Sequence, residues 1–104
     1  MILREVTSSN GIHVRLTEER WHYIIFEHLE LDGCEDMVMS AIENPDYIFE
    51  GHTDELLAVK QFSGLFFVVT VYKEKETEGY VITAYTKDTI TTLKEQRRIL
   101  WKKN

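Results

Sequence analysis

The chain has 104 residues, 43% of them hydrophobic and 29% charged, with a net charge of −6. That describes a single domain, residues 1–104, large enough for a core of its own. The acidic total argues against a protein that coats nucleic acid, since phosphate neutralisation needs a basic footprint.

A lone cysteine, Cys34, excludes an internal disulfide. Its neighbours Asp32, Glu35 and Asp36 argue against a nucleophilic thiol. Met1-Ile2-Leu3 runs at once into Arg4 and Glu5, with no apolar leader. The longest apolar stretch, Leu65 to Tyr72, is far short of the ~20 residues a membrane helix needs. A cytoplasmic protein with no membrane contact is expected. Acid gathers in Glu27 to Asp36 and Glu74 to Glu78. Base gathers late, at Lys94, Arg97, Arg98, Lys102 and Lys103, so the C-terminal end can present a positive face.

Met1 to Val6 reads as a short strand, and Ser8-Ser9-Asn10-Gly11 as a turn. Ile12, Val14 and Leu16 alternate with His13 and Arg15, which reads as a second short strand or an extended lead-in. Thr17 is a helix N-cap, with Glu18 and Glu19 placed for the helix dipole. Trp21, Ile24, Ile25, His28 and Leu29 then share one face of a helix that ends at Asp32-Gly33. A second helix runs from about Glu35 to Glu43 and stops at Asn44-Pro45.

After Pro45 the period changes to that of strands. Tyr47 to Glu50, Leu56 to Phe62, Leu65 to Lys73 and Tyr80 to Thr86 are the candidates, with a tight Ser63-Gly64 turn. The strand after that turn is apolar on both faces, which predicts a central, doubly covered position. Thr91 to Trp101 reads as a terminal helix. The fold class is thus α+β: N-terminal helices packed on an antiparallel β-meander, with a short C-terminal helix, the helices covering one face.

Two polar features interrupt this packing pattern. His28 falls within the apolar helical stripe. It is either a structural ring bonded to a carbonyl or an acid or base, since imidazole changes charge near neutrality. Thr83 and Tyr85, two apart on a strand, share a face with Val81. They are either propensity-driven strand residues or hydroxyl donors to a phosphate or oxyanion. Lys60, mid-strand, is either an edge guard or a cation for the same site. The turn at Ser63-Gly64 decides which face it takes. No CxxC, HExxH, calcium loop, GxGxxG, GKS/T or GxSxG pattern occurs. Neither a metal nor another cofactor is expected.

Glu19-Arg20-Trp21, Ile24, His28, Glu30 and Leu31 resemble the helix motif E-R-W-x-H-I-x-x-x-H-P-E-L. Asn44-Pro45-Asp46-Tyr47-Ile48, Val69 to Lys73 and Val81 to Tyr85 resemble later motifs of the same family. This is the phage-associated, RelE-like group of the barnase–EndoU–colicin–RelE nuclease fold, matched in order over about residues 15–90. Tyr23 stands where the motif has its first histidine, and Leu29 where it has proline.

The resemblance implies His28 as acid or base, Thr83 and Tyr85 as phosphate or ribose contacts, and Arg20 and Lys73 as phosphate partners. It implies a metal-independent endoribonuclease of toxin or phage-effector type. The partners would be RNA as substrate and an antitoxin or inhibitor protein. The acidic total and the two replaced motif positions leave a second reading open: an inactive binding module of the same fold.

Overall fold

Apolar alternation at Val14 and Leu16 starts the sheet. The structure, a computed structural model, describes residues 1–104. β1 (Ile2–Thr7) and β2 (His13–Thr17) form an antiparallel hairpin. Its turn is locked from a distance. The Ser8 hydroxyl donates to Glu74, which also accepts from the Asn10 side chain at 2.8 Å.

Thr17 caps α1 (Glu18–Glu27), its hydroxyl accepting the Arg20 N–H at 3.1 Å. Such a cap contributes about 1 kcal/mol. Trp21 and Ile24 are the buried residues of α1. The helix stops at Glu27, a turn earlier than the apolar spacing predicts. A 3₁₀ turn, Leu29–Leu31, follows. This tightening carries Leu31 into the core and leaves Leu29 exposed. Burying the one leucine through the tighter turn replaces the expected burial of the other. α2 (Glu35–Glu43) buries Val38, Met39, Ala41 and Ile42, and ends before Pro45 as predicted.

β3 (Tyr47–Glu50), β4 (Leu56–Phe62), β5 (Phe66–Lys75) and β6 (Glu78–Lys87) run as successive antiparallel neighbours. At the β4–β5 turn, Ser63 and Gly64 take φ of 57° and 67°. Two consecutive left-handed residues match the right-handed twist of the flanking strands. β5 is fourth of seven, with Val68, Val69, Thr70 and Tyr72 fully buried.

The sheet is not a pure meander. Its order is β1-β2-β6-β5-β4-β3-β7, and β2 joins β6 in parallel through His13, Val14 and Arg15 against Glu78, Gly79 and Tyr80. The terminal segment also departs from expectation. α3 (Thr91–Gln96) gives way at Arg97 to extended backbone, and Ile99–Lys102 form β7 along β3. The Arg98 carbonyl accepts the Glu50 N–H, and the Lys103 N–H donates to Asp46, both at 2.9 Å. An open edge on β3 thus offers hydrogen bonds that a solitary helical turn lacks, and pairing overrides local propensity.

Two cores flank the sheet. α1 and α2 cover one face with Val14, Leu16, Ala58, Val68, Tyr72, Val81 and Ala84. The other holds Phe49, Leu57, Val59 and Val69 under Ile90 and Leu93 of the α3 region. The helices therefore lie on both faces, not one. Full burial of a leucine- or phenylalanine-sized side chain contributes roughly 1.5–3 kcal/mol, so both layers matter. The buried Thr70 hydroxyl donates to the Val38 carbonyl at 2.8 Å, tying β5 to α2.

Candidate functional site

The early end of α1 decides where His28 goes. It is the C-cap residue, with φ −135° and ψ 71°, and its N–H donates to the Ile24 carbonyl at 2.8 Å. It does not sit in a buried stripe: its side chain is 32% exposed. β2 pairs with β6 only as far as Tyr80. The rest of β6 has a free edge, and the end of α1 and the 3₁₀ turn lie beside it.

On that rim the His28 and Tyr85 rings have centroids 6.0 Å apart, tilted by 38°. His28 Nδ1 lies 3.8 Å from Glu30 Oε2. Glu30 Oε2 in turn accepts from the Thr86 hydroxyl at 3.4 Å. An imidazole, a carboxylate and the Thr86 hydroxyl thus come together from two elements, with the Tyr85 ring beside the imidazole. Glu30 and Thr86 were not foreseen as a pair. The signal was present in the i, i+2 spacing of His28 and Glu30, but it needed the 3₁₀ turn to act.

Thr83 and Tyr85 share a face, the one under α3, opposite Val71 and Val69 of β5. Val81 does not share it. A β-bulge at Ile82 puts Val81 opposite Tyr72 and turns it to the α1–α2 core. One extra residue inverts the alternation. Thr83 and Tyr85 lie roughly 7 Å apart along the strand. Burial pushes the Tyr85 hydroxyl above its ordinary range, and the Arg97 charge partly offsets this. Arg97 is itself held by His52, Nη2 to Nε2 at 2.8 Å. The guanidinium can only donate, so His52 Nε2 accepts in this contact. Arg97 is the cation of this region. It was hidden from the sequence because it was assigned to a helix.

The expected cations are placed elsewhere or engaged. Lys60 pairs with Val68 on the α1–α2 face, opposite to Thr83 and Tyr85. Its Nζ donates to the Asn44 carbonyl at the end of α2, at 2.9 Å. Lys73 is neutralised by Asp54 at 3.1 Å, and the bond raises the lysine and lowers the carboxyl. Arg20 lies two turns before His28, stacked over Tyr23 at 5.3 Å. With Thr17, Glu19 and Tyr23 it lines an open hollow of about 540 Å³. A second hollow of about 210 Å³ lies between Pro45 and Trp101. Neither hollow borders His28, Thr83 or Tyr85. No three His, Cys, Asp or Glu side chains come together as metal ligands. No helix is long and apolar enough to cross a membrane.

The rim sets the His28 imidazole near the Glu30 carboxylate and beside the Tyr85 ring, and the Arg97 charge acts on the Tyr85 phenol. No protein-family model, no curated protein and no solved structure matches the chain.

Proposed function

We propose that this chain is a metal-independent endoribonuclease whose reactive group is His28. The observation that carries the reading is the approach of the partly exposed His28 ring to Tyr85 and Glu30 on the free edge of β6. The sequence resemblance to the RelE-like nucleases supports the same assignment. His28 takes the proton from a ribose 2′-hydroxyl, and that oxygen attacks the adjacent phosphorus. The bond to the 5′-oxygen breaks, and an acid returns a proton to it. The products are a 2′,3′-cyclic phosphate and a 5′-hydroxyl. Thr83, Tyr85 and Arg97 stabilise the charge that develops on the phosphate oxygens. The requirement for a 2′-hydroxyl restricts the substrate to RNA.

A second reading is an inactive binding module of the same architecture. It is favoured by one observation: Lys60 and Lys73 are both engaged within the protein, leaving fewer free cations for phosphate.

One experiment separates the readings. RNA and a 2′-deoxy strand of the same sequence are incubated with the protein in excess EDTA, alongside His28→Ala. Cleavage of RNA alone, slowed about 10²–10⁴-fold by the substitution, is the expected result. Equal cleavage by both proteins, or none by either, refutes the nuclease.

A further inference from the structure

We propose that β7 is a docking edge for an extended acidic segment of another protein, which adds to the sheet as an eighth strand. The proposal stands whether or not RNA is cleaved. β7 closes the strand order, and no strand pairs with its outer side. A bulge at Leu100 interrupts its pairing with β3, and the outward amides and carbonyls on either side of it are a template for further pairing. Ile99, Leu100 and Trp101 are all exposed, at 42%, 44% and 41%. Three consecutive exposed apolar residues on an edge are a liability unless something covers them.

Charge identifies the cover. Arg97 and Arg98 precede these residues, and Lys102 and Lys103 follow, in a chain of net charge −6. Lys103 has only Asp46, at 4.0 Å, and Arg97 is held by His52 without a carboxylate. Arg98 and Lys102 have no carboxylate partner. An added strand of alternating acidic and apolar residues satisfies the backbone groups, the apolar side chains and both basic flanks together.

A second copy fits worse, because pairing β7 with itself brings two basic flanks together. RNA would use the cations and Trp101, but not Ile99, Leu100 or the strand amides. The opposite edge, β1, lacks these features: Arg4 is bonded to Asp36 at 2.7 Å and α2 packs against the strand.

The test uses a fluorescein-labelled twelve-residue peptide alternating Glu and Val. Its controls are a version with Lys for Glu, a version with Pro at alternate positions, and a twelve-nucleotide uridine RNA. Anisotropy reads binding, and amide exchange reads the location. The acidic peptide should bind and slow exchange in Ile99 to Lys102, and both peptide controls should fail. Proline fails because it cannot donate to a ladder. The double variant Arg98→Glu/Lys102→Glu should weaken binding at least about tenfold while keeping its fold. The proposal is overturned by no binding, by equal binding of the proline peptide, or by protection elsewhere. It is equally overturned if RNA alone protects β7, or if the free protein dimerises with β7 protected.

Discussion

Gly79→Ala tests the junction on which the whole N-terminal half depends. Gly79 faces Val14 across the parallel pair and Glu74 across the antiparallel one. It is not among the glycines with positive φ, so its backbone suits alanine and only space is at issue. A Cβ would lie 2.5 Å from the Lys73 carbonyl oxygen and 3.2 Å from Val14 Cγ2. The valine methyl can rotate away. The carbonyl belongs to the β5–β6 ladder and must move by most of an ångström.

Overpacking of this kind costs about 1–3 kcal/mol. Against it stands about 0.4–1 kcal/mol from restricting the unfolded chain. The clash wins, for a net loss of about 1–2 kcal/mol. At this size the melting temperature falls by about 4–8 °C per kcal/mol. Urea unfolding gives the free energy. Amide exchange should locate the damage at the Lys73–Tyr80 end of the β5–β6 ladder and in the adjoining His13 to Arg15, with β4 unaffected. A variant as stable as the parent would refute the close approach of Gly79 to the Lys73 carbonyl.

Tyr72→Phe should stabilise the protein. The ring is fully buried, and its hydroxyl has no hydrogen-bond partner among the protein groups. Removing it gains about 1 kcal/mol by urea unfolding, and a loss would show that the hydroxyl is satisfied. Thr17→Ala removes the α1 cap and should cost about 1 kcal/mol, with faster exchange at the first turn amides; unchanged exchange there would dismiss the cap.

Glu55 should titrate far below other glutamates. The Thr53 hydroxyl at 2.7 Å and the Thr53 N–H at 2.9 Å hold its carboxyl at about 2, against an ordinary 4.5. A folded-state value below the unfolded one means the bonds favour folding at all pH above the ordinary value. That contribution fades as pH falls through about 2. Carboxyl carbon NMR should show that midpoint, and one near 4.5 would mean the bonds do not persist in solution.

Local chemistry made much of the fold legible. Thr17 as a cap, Asn44-Pro45 as a stop and Ser63-Gly64 as a turn act through neighbours in sequence, so each reads directly. The two-faced apolar pattern of β5 likewise announced a central strand. What stayed hidden depends on distant partners. Ile99 to Trp101 become a strand because β3 has an open edge. α1 stops at Glu27 because Leu31 finds the core through a tighter turn. Ile82 bulges between two ladders, so Val81 parts from Thr83. The candidate site followed the same division. His28, Thr83 and Tyr85 stood out as polar residues in packed segments. Glu30, Thr86 and Arg97 emerged only once the helix end, the bulge and the final strand had been placed.

The parallel joining of β2 to β6 also sets an order of assembly. A ribosome delivers the first helix before the strand that seats its hairpin, with α2 and three strands made in between. Contacts so far apart in the chain form slowly and late. Until β6 has been made the growing polypeptide therefore carries His28 without Tyr85 beside it, and any reactivity of that rim begins only after that strand pairs.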